Sequence, residues 1–131
     1  MFEIKKDEPY PYDYRETVDV AKKELQEKTV VSLVGKVEDM DQYDVIFLGY
    51  PCWCSTMPMP VFTFLQEYNL KDKIILPFCT NEGSGMGVSE KDLRELCPDS
   101  DIRKGIPVRG SLALESKPQI EKWLEAVTDN D

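Results

Sequence analysis

The chain has 131 residues, a length that fits one domain over 1–131. Hydrophobic residues make up 41% and charged residues 31%, enough for a real core, and no apolar run approaches the length of a membrane span. The net charge of −9 argues against nucleic acid as a partner, and the absence of histidine removes Ser-His-Asp and Cys-His catalysis and most zinc sites.

The acidic surface suits docking to basic proteins, although solubility alone is the commoner reason for such a surface. No basic segment followed by an apolar stretch marks a secretory signal, so the expected compartment is cytoplasmic. Phe2–Ile4 reads as a short strand. KDEPYPY is a loop, because its two prolines interrupt regular structure. Asp13 followed by Glu16 has the spacing of a capping box. Tyr14, Val18, Ala21 and Leu25 then share one helical face, which predicts a helix to about Lys28. TVVSLV, from Thr29 to Val34, is β-branched and apolar and reads as a further strand.

The stretch YDVIFLGYPCWCSTMP, Tyr43 to Pro58, carries the most information. Val45–Leu48 is a continuous apolar run between Asp44 and Gly49, the pattern of a parallel strand buried on both faces. A loop of aromatic and small residues follows, and then a helix with Pro58 or Pro60 in its first turn. Val61, Phe64, Leu65 and Tyr68 lie on its inner face. Lys73–Cys79 reads as the next buried strand, despite Pro77. The glycine-rich loop TNEGSGMG comes next, then a helix capped by Ser89 and Asp92. Ile102–Val108 reads as a short irregular strand. Ser116 and Gln119 form a second capping box, and Ile120, Trp123, Leu124 and Val127 face inward on the last helix. TDND is expected to be a frayed tail. Strands alternating with helices predict an α/β fold with a parallel sheet and right-handed crossovers.

Ligands of open α/β sheets sit beyond the carboxyl ends of the strands, so both loops are placed for binding. Trp53 offers a flat surface for stacking, and the glycines let backbone N–H groups approach a ligand closely. The bland readings are a packed aromatic for Trp53 and an ordinary loop for the glycines. Cys79 and Cys97 read as buried reduced thiols. Cys52-x-Cys54 is too tight for a Cys-x-x-Cys metal or redox motif, so no metal site is expected.

YDVIFLGYPCWCSTMPMPVFTFL, KIILPFCTNEGSG and the closing EKWLEAV together resemble the bacterial flavodoxin-like family over nearly the whole chain, from Phe2 to Val127. The resemblance implies a three-layer flavodoxin-like parallel sheet and FMN as cofactor. Its ring would lie between two loops. The first is Pro51, Cys52, Trp53, Cys54, Ser55, Thr56 and Met57. The second is Thr80, Asn81, Glu82, Gly83, Ser84 and Gly85, entered from Cys79. The family usually has an aromatic or small residue at Cys54 and often histidine at Asn81. Its opening apolar strand and phosphate-cradling loop find no match here, and Met1–Ile4 resembles its second strand.

Two expectations follow from that departure. Flavin binding is weak or absent in this chain alone. The slot between Phe2–Ile4 and Val45–Leu48 is filled by TVVSLV, by a second copy or by a separate polypeptide, with a homodimer expected. The resemblance implies FMN-dependent electron transfer or a small flavin oxidoreductase, with no catalytic side chain and with a redox protein or a small electron acceptor as partner. A domain without stable flavin, serving as an interaction module or half of a split protein, is the second reading. A thiol or metal site at Cys52 and Cys54 is the third.

Overall fold

The computed structural model describes residues 1–28 and 31–128. The first two residues of TVVSLV and the last three of the expected tail lie outside the described residues. The chain enters through an irregular segment at 1–13 and then forms helix α1, Tyr14–Glu27. Asp13 caps this helix, its side chain accepting a hydrogen bond from the Arg15 N–H at 3.1 Å. Lys28 ends it in the left-handed conformation, returning its N–H to the carbonyls of Glu24 and Leu25.

Two parallel strands make the centre. β1, Val45–Pro51, pairs along its whole length with β2, Ile74–Asn81. Helix α2, Met59–Gln66, crosses between them with proline in its first turn. Helix α3, Ser89–Leu96, follows β2. The Ile102–Val108 stretch divides into two short strands on the far side of β2, namely β3, Asp101–Ile102, and β4, Ile106–Arg109. A 3-10 turn at Gly110–Glu115 leads into helix α4, Lys117–Thr128.

Pro77 explains why a proline is tolerated inside β2. The Ile74 N–H donates to the Asp44 carbonyl on the β1 side, and the Arg103 N–H reaches the Ile75 carbonyl on the other. Backbone direction alternates along a strand, so Pro77 faces the gap between β3 and β4, where no N–H is demanded of it.

The core lies between the sheet and α2 with α3. Leu48, Tyr50, Ile75 and Cys79 meet Val61, Phe64, Leu65 and Leu93 there. α1 stands beside α2. On the other face α4 presents Trp123, whose ring meets Phe47 at 6.3 Å and Phe78 at 6.4 Å. The result is a three-layer, flavodoxin-like α/β fold with a parallel sheet.

Several expectations are corrected. Among the described residues Phe2–Ile4 forms no strand, and the only ladder contact near it is an isolated bridge between Lys6 and Leu33. The described part of TVVSLV stays outside the sheet, reached by that bridge and by Asp7 and Lys5 backbone bonds. β1 is not buried on both faces, since Val45 is 45% and Phe47 53% exposed. Its outer edge pairs with no strand among the described residues. Ser89 does not cap α3. It lies buried inside the first turn, donating to the Met86 carbonyl at 2.6 Å and accepting from the Tyr50 hydroxyl at 2.8 Å. Ser116 and Gln119 likewise turn elsewhere, to the carbonyls of Ala113 and Pro107.

Candidate functional site

Both loops singled out by sequence leave the carboxyl ends of neighbouring strands. Their stems are joined at the sheet, where Pro51 stands opposite Thr80 and the Cys52 N–H donates to the Thr80 carbonyl at 2.8 Å. Their tips are joined again, by the Val88 N–H on the Ser55 carbonyl at 2.7 Å. Gly87 permits this second joint. It has φ +56, and any Cβ on it would run into the Ser55 carbonyl.

The first loop is a tight reversal. Trp53 and Thr56 exchange backbone hydrogen bonds at 2.9 and 3.0 Å. Cys54 and Ser55 between them have φ +53 and +65, the two left-handed positions of a type I′ turn. Neither is glycine, so the turn carries backbone strain of about 1–2 kcal/mol per residue. The joint to Val88 and the anchors that follow hold it in place. Thr56 is buried and its hydroxyl donates to the Asp92 carboxylate. Met57 is completely buried. Thr56 and Met57 therefore position the loop and offer a ligand no surface. Pro51, Cys54 and Ser55 are exposed, and Cys52 and Trp53 are half-buried.

Asn81 shapes the second loop. Its Oδ1 accepts from the N–H groups of Gly83 at 2.9 Å and Gly85 at 3.2 Å, while its Nδ2 donates to the Val108 carbonyl at 3.3 Å. Glu82 is not a free solvated carboxylate; it receives the Ser111 N–H at 2.8 Å and the Ser111 hydroxyl at 3.2 Å. Gly83 and Gly85 have φ +134 and +63, and a Cβ on Gly85 would point into open space. The backbone here is bare on its outer side. Cys79 lies beneath, its Sγ 3.4 Å from the Gly85 carbonyl and from Met86 Sδ. Burial, with smaller contributions from Cys52 and Glu90, pushes its thiol up from 9.0 to about 11. It stays protonated at neutral pH, as expected of an inert buried thiol.

The two loops do not line one cavity. Trp53 and Pro51 open onto an apolar groove of about 1000 Å³ along the outer edge of β1. Asn81, Gly83 and Gly85 open onto a smaller cleft of about 430 Å³ with Arg109 and Gln119. The strand ends separate them, so a flat ligand touching both would straddle the rim.

Tyr10 is a neighbour the sequence did not reveal. Its ring meets Trp53 edge-on at 5.1 Å, and its hydroxyl donates to Glu24 Oε1 at 2.5 Å. Lys6 Nζ lies 2.8 Å from Glu24 Oε2 and 4.3 Å from the Tyr10 ring centre. Burial, and then the Glu24 carboxylate, raise the Tyr10 hydroxyl far above its ordinary range. Only the aromatic pair in PYPY hints at this contact, and nothing in its spacing selects Trp53. Among the described residues no group of three or more Cys, Asp or Glu side chains could hold a metal ion, and no helix is long and apolar enough to cross a membrane.

A candidate flavoprotein from Bacteroides eggerthii is similar over 96% of this chain and 79% of its own, with 27% identity and a TM-score of 0.80. One from Bacteroides uniformis is similar over 92% and 80%, with 25% identity and a TM-score of 0.78. A Lactobacillus acidophilus flavoprotein solved in complex with FMN shares the fold, with 21% identity, a TM-score of 0.70, and coverage of 92% and 77%. No curated protein matches the chain. The family model described as Flavodoxin matches residues 1–127, and the chain belongs to that family.

Proposed function

We propose that this protein binds the ring of a flavin across the rim formed by Trp53 and the Thr80–Gly85 loop and works as an electron carrier or small oxidoreductase. The observation that carries the reading is the double joint between the two loops. It holds the half-buried Trp53 ring and the exposed backbone of Gly83 and Ser84 at adjacent strand ends. The family membership and the FMN found in the Lactobacillus protein support the same assignment.

The residues present suit the ring better than the phosphate. Trp53 would stack on the ring, and to do so would share its exposed edge with Tyr10. The amides of Gly83 and Gly85 are committed to Asn81, which fixes the loop, while Thr80 and Ser84 stand exposed beside them. Neither loop contains a lysine or arginine. The nearest guanidinium on the cleft side is that of Arg109, which would lie 3.3 Å from a Cβ on Gly83. When bound, the flavin supplies the electron or hydride chemistry. The chain's part is to bind and orient the ring, and no side chain acts as acid or base.

FMN and riboflavin should therefore bind with similar, weak affinity. Trp53→Ala should weaken both by about 1 kcal/mol or more, the value of an aromatic contact. Titration followed by flavin fluorescence measures both. The lack of a cation in either loop also favours a second reading, a flavodoxin-like domain that holds no stable flavin and serves as an interaction module. Absence of any flavin binding would select it.

A further inference from the structure

The smaller cleft holds a cation that no carboxylate of the described chain claims. Its lining comes from the ends of β2 and β4, the 3-10 turn and α4. Asn81 stands opposite Arg109 in the β2–β4 register. Two hydrogen bonds fix the walls. Asn81 Nδ2 donates to the Val108 carbonyl at 3.3 Å, and Gln119 Nε2 donates to the Pro107 carbonyl at 3.1 Å. The Arg109 guanidinium lies over the bare backbone of Gly83, its Nη2 3.3 Å from where a Cβ would be.

Acidic partners are plentiful in a chain with 25 Asp and Glu against 16 Lys and Arg. Arg94 pairs with Glu90, and Arg103 pairs with Asp101. Arg109 makes no hydrogen bond or ion pair among the described residues. Glu82 follows its register partner in the chain, yet that carboxylate is drawn away. It accepts from the Ser111 N–H and hydroxyl, passing Gly110, where a Cβ would lie 2.6 Å from Oε1. The rest of the lining is largely apolar. Leu112 stands 51% exposed at the cleft, with Pro107 and Val108 beside it. The space of about 430 Å³ falls within the range of small-molecule sites.

We propose that this cleft binds a small monocarboxylate with an apolar body, its carboxylate paired with Arg109 and its body against Leu112 and Pro107. The planar fork of a guanidinium matches a carboxylate through two parallel hydrogen bonds. One guanidinium balances one negative charge. Glu82 nearby and the net charge of −9 oppose a dianion such as phosphate. The cleft adjoins the Thr80–Gly85 loop, so a molecule held in it lies beside the rim assigned to the flavin ring. Its role as the small electron donor or acceptor of that flavin rests on the assignment above; its binding does not.

The probe is benzoate, titrated without flavin into the full 15N-labelled chain. Ionic strength is held constant, because salt screens an exposed ion pair. The Arg109 side-chain N–H and the Gly83 and Leu112 amides should shift and saturate at millimolar concentration. Benzamide keeps the ring and loses the charge; acetate keeps the charge and loses the ring. Each should bind about tenfold more weakly than benzoate. Arg109→Gln should lose a similar factor for benzoate, and Leu112→Ser should bring benzoate close to acetate. Both side chains are exposed, and the three-ligand comparison on the wild-type chain decides the matter even where a variant misfolds. No saturable shift with benzoate would overturn the proposal, as would equal binding of benzamide or unchanged binding by folded Arg109→Gln. Inorganic phosphate binding more tightly than benzoate at the same groups would overturn it equally. With no flavin present, these outcomes are separate from whether a flavin binds at the rim, which riboflavin titration reads at the Trp53 indole.

Discussion

Replacing Asn81 with alanine tests how the glycine-rich loop is held. The side chain makes three hydrogen bonds, to the N–H groups of Gly83 and Gly85 and to the Val108 carbonyl. A typical intramolecular hydrogen bond contributes about 0.5–1.5 kcal/mol net. Gly83 is exposed, and water can replace its partner, so that bond counts for little. The other two are 3.2 and 3.3 Å long and belong at the low end. Together they give a loss of about 1 kcal/mol. With an m-value of about 2 kcal/mol/M, the urea midpoint should fall by roughly 0.5 M with m unchanged. The loop amides should lose exchange protection, and flavin affinity should fall about tenfold if the loop carries roughly 1.4 kcal/mol of it. Asn81→Asp keeps the acceptor for both glycine amides and loses only the Val108 bond. Protection at Gly83 and Gly85 should survive in that variant. Wild-type protection and flavin affinity in Asn81→Ala would refute the reasoning.

Gly87→Ala should destabilise the fold by about 2 kcal/mol or more, since a left-handed residue with a side chain costs about 1–2 kcal/mol and its Cβ meets the Ser55 carbonyl; chemical denaturation measures it. Leu93→Ala, at a fully buried position, should cost about 2–5 kcal/mol by the same assay. Iodoacetamide should label exposed Cys54 first and half-buried Cys52 next, reaching buried Cys79 and Cys97 only on unfolding, as mass spectrometry would record. Burial lifts the Tyr50 hydroxyl to about 12, so the unfolded chain ionises here before the folded one. The stability this supplies is whole below pH 10 and is lost as pH rises from 10 toward about 12, with Tyr50→Phe removing that slope from alkaline unfolding curves.

What the sequence revealed depended on whether an element is defined by its own residues or by its neighbours. β1, β2 and α2 carry their signals locally, in apolar runs bounded by Asp44, Gly49 and the prolines. Phe2–Ile4 has a strand's composition, but a strand exists only against an edge, and its neighbour in space is the open groove. The division of Ile102–Val108 arises at Gly105, packed against the Pro77 carbonyl and Met86, a contact no local pattern announces. Ser89 had the spacing of a cap, yet a hydroxyl from Tyr50, distant in sequence, claimed it. At the site, both loops were legible from their place after strands. Asn81-Glu82-Gly83 also contains an Asx-turn signal that identifies Asn81 as the organiser. Tyr10 against Trp53, the separation of the two clefts and the burial of Thr56 and Met57 are tertiary facts.

The most direct measurement is a riboflavin and FMN titration of the 15N-labelled chain followed by amide chemical shifts. Both ligands should move the Trp53 indole and the amides of Cys54, Ser55, Thr80 and Ser84, at similar concentrations and with little change elsewhere. Shifts confined to another surface, or no shift with either flavin at millimolar concentration, would contradict it.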